Sequence, residues 1–306
     1  MKDEELRSTI PDTFDNTMLS TYSVCPRKLY WFLRGIRTTV DPAYFLFGRA
    51  WGRAQKAWHE SQGTEAGPRE RKNYAIDQAR KLWEQEAPTE LGDNTLSNFI
   101  EMIEIYTEIH EAPEQWEIIA SEIGFREELS EGLFYAGALD AEISWEPYGI
   151  LVKEDKTTGQ YLSGNFMKQW DFATQVTGYQ WGMEKILGKE IFGVLMNVAS
   201  KRKRKEAELR FARDLQKRSK EALDTWEKDT TLLCKKIQEE WRVHSWLPLG
   251  MRNQTNCSGG IGKSPCDYAI LCKDERPFWR IDPLKFQGFK EVSSWTPWER
   301  TGDDDD

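Results

Sequence analysis

The chain has 306 residues, with 51 acidic against 42 basic side chains and a formal net charge of −9. This excess of acid argues against a passive nucleic-acid coat, whose affinity rests on neutralising phosphates. The polar start Met1-Lys-Asp-Glu-Glu and the lack of any apolar run of membrane-span length predict a cytoplasmic protein without a secretory leader or membrane anchor.

The N-terminal third is predicted to be helical. A first helix carries Cys25, within Ser20–Tyr30, and a longer helical region runs from about Phe47 to Glu111. Turn-forming residues at Gly63–Pro68 and at Ala87–Asp93 break that region into separate helices.

Strands and helices alternate in the remainder of the chain. The predicted elements are strands at Trp116–Leu129, Phe134–Trp145 and Gly149–Lys156, a helix at about Trp170–Leu187, a strand at Ile191–Ala199 and a long helix at about Lys205–Trp241. Strands joined by crossover helices predict an α/β fold with a mixed central sheet flanked by helices.

Three polar residues interrupt this otherwise apolar region. Side chains alternate along a strand, so Glu154 and Lys156 share one face, and Asp140 reaches them if its strand is a neighbour. Two carboxylates suit Mg²⁺ or Mn²⁺, which bind oxygen ligands and substrate phosphate. Lys156 would then orient the attacking water and stabilise charge in the transition state. The alternative is a solvated ion pair on an exposed strand face.

A polar pair follows on the next predicted helix. Gln175 and Tyr179 are four residues apart and therefore lie on one helical face. A simple polar pair at a helix boundary is the alternative to a functional one.

The order Asp140, Glu154-x-Lys156 and Gln175-xxx-Tyr179 resembles the PD-(D/E)XK nuclease superfamily, and specifically its RecB-like branch. This resemblance, carried by motifs between about Ser20 and Cys272, implies a restriction-endonuclease-like core. It also implies that Asp140 and Glu154 hold the divalent ion, that Lys156 is catalytic, and that Gln175 and Tyr179 position the nucleic acid.

The same resemblance suggests two further metal ligands. Asp155 can add its backbone carbonyl to the ion. Family members commonly carry a ligating His in a helix after a Phe-Gly, but Gly52 occupies that position here. His59, two turns further, points to nearly the same face and is the candidate to replace it; the alternatives are a water at that position and a structural role for His59. Glu122 matches a polar residue ahead of the first acid and is a weak accessory candidate.

Five cysteines stand at positions 25, 234, 257, 266 and 272, and three of them cluster in a loop-rich segment. In a cytosolic chain such clustering indicates metal ligation rather than disulfides. Cys234 falls on the apolar side of a predicted helix and is expected to be a buried free thiol.

The iron–sulfur subset of RecB-like nucleases has one cysteine before the core and three after it. The resemblance therefore implies a [4Fe–4S] cluster on Cys25, Cys257, Cys266 and Cys272 that staples the two ends of the chain. Eight residues separate Cys257 from Cys266, where the family usually has two. Zinc in a four-cysteine site therefore remains an alternative.

A basic run supplies a local path for DNA in this acidic chain. It consists of Lys201, Arg202, Lys203, Arg204 and Lys205, directly after an apolar strand. Further basic residues on the predicted helix are Arg210, Arg213, Lys217, Arg218 and Lys220. The alternative is a solvated helix start diluted by nearby glutamates.

The predicted organisation is one nuclease domain over residues 1–299, with a helical part at 20–115, a core at 116–241 and an iron–sulfur staple with tail at 242–299. An acidic, disordered tail follows at 300–306. We expect a metal-dependent DNA exonuclease acting on single-stranded or frayed ends in recombination, repair or phage DNA metabolism, with a possible helicase or recombination partner. The alternatives are a helicase-associated or CRISPR-adaptation nuclease subunit and a non-catalytic, cluster-stabilised DNA-binding module. Polarity and oligomeric state do not follow from the sequence.

Overall fold

A computed structural model describes residues 11–39, 43–86, 88, 90–111, 114–243, 252–258, 265–274, 276, 281–293 and 296–299. The predicted acidic tail lies outside these residues. The helices are α1 (Asn16–Val24), α2 (Pro26–Leu33), α3 (Ala43–Glu60), α4 (Pro68–Glu86), α5 (Leu96–Ile109), α6 (Gly164–Met167), α7 (Thr174–Leu187), α8 (Lys220–Val243), α9 (Gln254–Cys257) and α10 (Ala269–Lys273).

The strands are β1 (Thr13–Phe14), β2 (Ile36–Thr38), β3 (Trp116–Ser130), β4 (Leu133–Trp145), β5 (Gly149–Thr158), β6 (Gly193–Ser200), β7 (Phe211–Gln216) and β8 (Phe289–Glu291). Six of them form one mixed sheet in the order β1-β4-β5-β6-β7, with β3 also paired to β4. Parallel pairing of β5 with β6 and antiparallel pairing of β4 with β5 confirm the predicted α/β fold.

The chain divides into two compact units, each assembled from separate stretches. Unit 1 takes Met1–Val40, Arg126–Gly137 and Asp224–Pro297, and unit 2 takes Asp41–Phe125, Ala138–Leu223 and Trp298–Asp306. The hairpin of β3 and β4 contributes its closed end to unit 1 and its open end to unit 2.

Unit 2 is built around the buried strands β5 and β6. Every residue of β6 is buried, and the apolar part of β5 is equally inaccessible, as expected for strands covered on both faces. Helices α3, α4 and α5 pack together through an apolar core that includes the aromatic residues Phe47, Trp51 and Phe99, and the rings of Trp51 and Phe99 have a centroid separation of 6.3 Å. Edge-to-face aromatic pairs of this kind favour one arrangement of helices over another.

Helix boundaries follow local chemistry. The hydroxyl of Thr95 accepts a hydrogen bond from the amide of Asn98 at 3.1 Å and so caps the start of α5. Helix α7 ends at Gly188, whose φ of 61° lies in the left-handed region that glycine adopts at little cost. Both predicted breaks in the N-terminal helical region are confirmed.

Unit 1 joins residues from both ends of the described chain. Strand β2 pairs antiparallel with β8, and the phenolic hydroxyl of Tyr22 on α1 donates to Glu240 on α8 at 2.7 Å. Gly35, at a φ of 69°, stands where a Cβ would lie 2.3 Å from the carbonyl oxygen of Val292. A close backbone approach therefore requires glycine at this turn.

The predicted helix at about Lys205–Trp241 is wrong in its first half. Residues 211–216 instead form β7, which pairs antiparallel with β6, and α8 begins only at Lys220. The physical reason is that the buried β6 needs a hydrogen-bonding partner on its outer side. Arg213 therefore lies on β7, Lys217 and Arg218 lie between β7 and α8, and Arg210 ends a short 3₁₀ helix (Ala207–Arg210) rather than belonging to the predicted long helix.

Cys25 also differs from its prediction, because it stands between α1 and α2 rather than inside one helix. Cys234 is fully buried in α8, as predicted, and burial raises the pKa of its thiol to about 12. No helix within the described residues combines the length and apolar character needed to cross a bilayer.

Candidate active site

The register of β4 and β5 brings the first predicted acid to the second. Ala141 pairs with Lys153, which places Asp140 beside Glu154 on the neighbouring strand. The backbone amide of Asp155 donates a hydrogen bond to Oδ2 of Asp140 at 2.7 Å. Asp140, Glu154 and Lys156 are therefore brought together as the motif requires.

Glu154 is held in an unusual state for a carboxylate. Its side chain is 3% exposed, and Oε1 accepts a short hydrogen bond from Nζ of Lys156. Oε2 is buried and has no hydrogen-bond partner. A buried carboxylate oxygen without a donor is costly, and a cation is the natural group to satisfy it.

The pKa shifts of the three residues also favour a bound cation. Burial, and then the neighbouring Asp140, raise the pKa of Glu154 to about 8. Burial, and then Asp155, likewise raise the pKa of Asp140. Burial opposes the charge on Lys156, but Glu154 and Asp140 outweigh it and raise the pKa of the ammonium group. The site has more negative charge than one lysine neutralises, which suits a divalent ion.

The side chain of Asp155 is engaged elsewhere. One carboxylate oxygen forms a short ion pair with Lys153, and the other accepts from Nδ2 of Asn197 at 2.6 Å. Lys153 is 2% exposed, so this pair is buried. Asp155 could bind a metal through its backbone carbonyl without breaking the contacts of its carboxylate with Lys153 and Asn197.

A buried polar network behind Asp155 was not predicted. Nδ2 of Asn197 lies 3.1 Å from the hydroxyl of Tyr106, and Arg213 donates to the same hydroxyl at 2.8 Å. Arg213 also forms a two-bond pair with Glu114, at 2.9 and 2.6 Å. An asparagine inside the otherwise apolar strand β6 was the available signal, because a polar side chain there needs a partner.

A small cleft opens beside this network. Its lining includes Asp140 and Asp155 from the sheet, Gly52 and His59 from α3, and Glu122 from β3. A Cβ on Gly52 would meet no atom within 4 Å, so the cleft has room where the family's histidine would begin. Glu122 has a φ of 53°, a strained conformation for a residue with a side chain.

His59 lines the cleft as a neutral ring. Burial, and then the charges of Lys153 and Arg213, hold the pKa of His59 well below 6.5. Nε2 lies 3.1 Å from Oε1 of Gln55, an acceptor, which favours the tautomer with the proton on Nε2. Nδ1 then keeps its lone pair, and this buried nitrogen has no hydrogen-bond partner.

Gln175 and Tyr179 form the expected pair on α7. Nε2 of Gln175 donates to the hydroxyl of Tyr179 at 2.7 Å, and Tyr179 is 8% exposed. The pair therefore orients a half-buried amide at the start of the helix.

The basic run is less uniform than its sequence. Lys201 is 6% exposed and donates to Asn94 at 2.6 Å, so its expected place on an open DNA path is corrected: the side chain fills an inward position. Lys203 pairs with Glu101 at the surface. Arg202 and Arg204 lie against the ring of Tyr161, and Lys205 is exposed.

The four predicted cluster ligands all belong to unit 1 and are not disulfide-bonded. The amide of Cys266 donates to the carbonyl of Cys257 at 3.1 Å, and the amide of Asn253 donates to Sγ of Cys25 at 3.5 Å. Burial raises the pKa of the thiols of Cys266 and Cys272. The four thiols come from two distant stretches of the chain, and thiolates suit a zinc ion or an iron–sulfur cluster in their donor chemistry.

The described side chains do not form a preassembled metal site. Across the described ranges, no group of three or more His, Cys, Asp or Glu side chains is close enough to hold a metal. At the acid pair, two protein carboxylates leave the remaining positions to water and substrate, which is usual for Mg²⁺.

Comparison with known proteins gives a family. The model of the PD-(D/E)XK nuclease superfamily matches residues 16–273. No curated protein matches the chain. Among solved structures, a candidate exonuclease from Eubacterium rectale is 13% identical, with a TM-score of 0.41 over 78% of this chain and 84% of that one. The structure of SSO0001 is 12% identical, with a TM-score of 0.28 over 76% of this chain and 91% of that one. Likeness of this extent does not by itself establish a shared function.

Proposed function

The chain belongs to the PD-(D/E)XK nuclease superfamily, and we propose that it is a metal-dependent deoxyribonuclease that trims single-stranded or frayed DNA ends. The observation that carries the proposal is the state of Glu154. It is buried beside Asp140, has one oxygen on Lys156 and leaves the other without a partner.

Asp140 and Glu154 would hold Mg²⁺ or Mn²⁺. When bound, such an ion lowers the pKa of water and neutralises charge on phosphoryl oxygens. The raised pKa values of both acids support this role, because two adjacent carboxylates, one buried and one partly buried, ionise together more readily when positive charge is added.

Lys156 would act on the reacting phosphate. Its ammonium group stays protonated because Glu154 and Asp140 raise its pKa. It donates to Glu154 in the absence of substrate and can turn one of its remaining protons toward an attacking water or a phosphoryl oxygen. A fixed positive donor at that point stabilises charge that develops in the transition state.

His59 and the backbone carbonyl of Asp155 are the candidates for completing the metal shell. The unpartnered Nδ1 of His59 supports the first, and the engagement of the Asp155 carboxylate by Lys153 and Asn197 supports the second. Gln175 and Tyr179 would position the strand. Of the basic run, the exposed Arg202, Lys203 and Lys205 and the half-buried Arg204 would follow its phosphates.

A thiolate-bound [4Fe–4S] cluster on Cys25, Cys257, Cys266 and Cys272 is part of the proposal, and it would assign the chain to the RecB-like branch. Its role would be structural, because these residues lie in unit 1 whereas Glu154 and Lys156 lie in unit 2. Zinc would serve the same purpose with the same four ligands.

The deciding experiment is degradation of end-labelled linear DNA, single- and double-stranded, beside a closed circle, with Mg²⁺, Mn²⁺ or chelator. We expect metal-dependent loss of single-stranded or frayed linear DNA, with the circle intact. Cutting of the circle would make the protein an endonuclease. If protein with its cysteine site filled cuts no DNA with either metal, the proposed nuclease activity is contradicted.

A non-catalytic DNA-binding module is the second candidate. Gly52 at the position of the family's histidine favours it, because the cleft then lacks one ligand on α3. Gel-shift binding of DNA without cleavage under all metal conditions would support this candidate instead.

A further inference from the structure

We propose that Tyr161, Arg202 and Arg204 form a stacking surface that binds the bases and phosphates of a single DNA strand on its way to Glu154 and Lys156. The inference rests on the proposed function and names its substrate class. We call this surface the Tyr161 platform.

Two guanidinium groups converge on one exposed aromatic ring. The central carbon of Arg204 lies 4.3 Å from the ring centroid of Tyr161, and that of Arg202 lies 5.1 Å from it. The tyrosine is 46% exposed, so part of its ring remains open to a ligand. The guanidinium of Arg204 belongs to a half-buried side chain, whereas Arg202 is exposed.

The backbone fixes the platform next to the catalytic strand. Parallel strands β5 and β6 end at the same edge of the sheet, and both platform segments begin there. The amide of Lys201 donates to the carbonyl of Thr158 at 2.8 Å, and the hydroxyl of Ser200 donates to the carbonyl of Gln160 at 2.7 Å. Tyr161 is five residues from Lys156, so the two lie at most about 18 Å apart along the chain.

Within the two segments that carry the platform, the net charge is opposite to that of the whole protein. The chain has 51 acidic residues in 306, yet neither Gly159–Trp170 nor Lys201–Lys205 contains one. The first segment is mostly exposed and adds further aromatic residues, while the nearby Phe172 is 90% exposed. Aromatic rings interleaved with positive charge are typical of single-strand binding, in which bases stack and phosphates pair with arginine.

A duplex would use this surface poorly. Paired bases are stacked on each other and offer no open face to Tyr161, so only the phosphates would be bound. The platform therefore selects unpaired strands and predicts that base stacking, in addition to charge, contributes to affinity.

The test is the affinity of the full chain for short labelled oligonucleotides, measured by fluorescence anisotropy in chelator at fixed salt. The probes are a single strand, an abasic strand of equal length and charge, and a duplex. The variants are Tyr161→Ala, Tyr161→Phe and Arg204→Lys. Tyr74→Ala is the matched control, because that tyrosine, at 51%, is about as exposed as Tyr161 but lies on α4.

We expect Tyr161→Ala to weaken binding of the single strand by about 5- to 150-fold, the range of one lost base stack. Binding of the abasic strand and the duplex should change less than twofold, and Tyr161→Phe and Tyr74→Ala should bind as wild type. Arg204→Lys keeps the charge but loses the planar group, and should show a smaller loss confined to the single strand.

Equal affinity of wild type and Tyr161→Ala for the single strand would overturn the proposal, as would an equal loss for the abasic strand. If Tyr161→Ala does not fold, an unchanged single-strand affinity of Arg204→Lys would overturn it. Because binding is measured without metal, a protein that binds in this way but never cuts would refute the nuclease and leave the platform standing.

Discussion

The backbone amide of Asp155 donates to Oδ2 of Asp140 at 2.7 Å, and this bond extends the pairing of β4 with β5 beyond Ala141 and Lys153. Strand β5 cannot slide against β4 without breaking it, and a one-residue slip would turn Glu154 to the opposite face of the sheet. The bond therefore adds to the strand pairing that sets the register on which the site depends.

Lys156→Ala should abolish cleavage while leaving DNA binding largely intact. Loss of one fixed donor to the transition state lowers kcat by about 10²- to 10³-fold. Single-turnover cleavage and oligonucleotide affinity would be measured together. Lys81→Ala, on the exposed surface of α4, is the control. A variant with more than a tenth of wild-type kcat would show that Lys156 is not catalytic.

Divalent metal should stabilise the wild type against heat, because it relieves repulsion between the adjacent carboxylates of Asp140 and Glu154. At 100 times its Kd the ion adds about 2.7 kcal/mol to the free energy of unfolding. Asp140→Asn should lose most of the metal-dependent rise in Tm and should be no less stable than wild type in chelator. Asp77→Asn, which affects an exposed pair with Arg80, should retain the full rise. Equal rises in Tm for Asp140→Asn and wild type would exclude Asp140 as a ligand.

Gly182→Ala should destabilise unit 2. A Cβ at this position on α7 would lie 2.4 Å from the ring of Phe125 on β3. Overpacking of a rigid ring costs about 1–3 kcal/mol. Gly63→Ala, whose Cβ would meet no atom within 4 Å, is the matched control. Urea unfolding of both variants measures the difference, and equal midpoints would contradict the packing of α7 on β3.

Stability should fall in mild acid because of His110. Burial, and then the charge of Arg213, lower the pKa of His110 to about 4. The unfolded chain therefore binds a proton near pH 6.5 that the folded chain binds only near pH 4, so the free energy of unfolding decreases as pH falls between these values. We expect a loss of roughly 1–2 kcal/mol after solvent screening. His110→Gln should reduce this pH dependence in urea unfolding, and an unchanged slope would assign it to other groups.

The cysteine site should give a spectroscopic signal. Anaerobically purified wild type is expected to carry iron and to absorb broadly in the visible range, and Cys266→Ser should lose both. Cys234→Ala should keep them, because that thiol is fully buried in α8 and is not one of the proposed ligands. Colourless protein with one zinc per chain would show that the four cysteines bind zinc and not an iron–sulfur cluster. Absence of both metals from all preparations would leave these residues as free thiols.

The fold class and the acid pair could be predicted because they depend on local patterns. A short apolar run after a Pro-containing turn predicted β5, and the alternation of side chains along a strand then placed Glu154 and Lys156 on one face. Strand β7 could not be predicted in this way. Its sequence, Phe211-Ala-Arg-Asp-Leu-Gln216, continues into helix-forming residues, and it becomes a strand because β6 offers an open edge.

The buried network was also beyond the sequence. Asn197 and Arg213 are far apart along the chain from Glu114, and only the pairing of β6 with β7 brings them together behind Asp155. The prediction that all five residues of the basic run line an open DNA path was wrong for a related reason. Five consecutive cations give no indication of which one turns inward, and Lys201 does so because Asn94 and Phe47 provide a site for it.

Strand β2 has a consequence for synthesis in the cell. Its partner β8 lies about 250 residues later in the chain. At 5–20 residues per second, a ribosome needs about 10–50 s to deliver that partner. During this interval β2 is an open edge that other chains could pair with. We therefore expect the nascent protein to depend on chaperones until residues 289–291 have emerged.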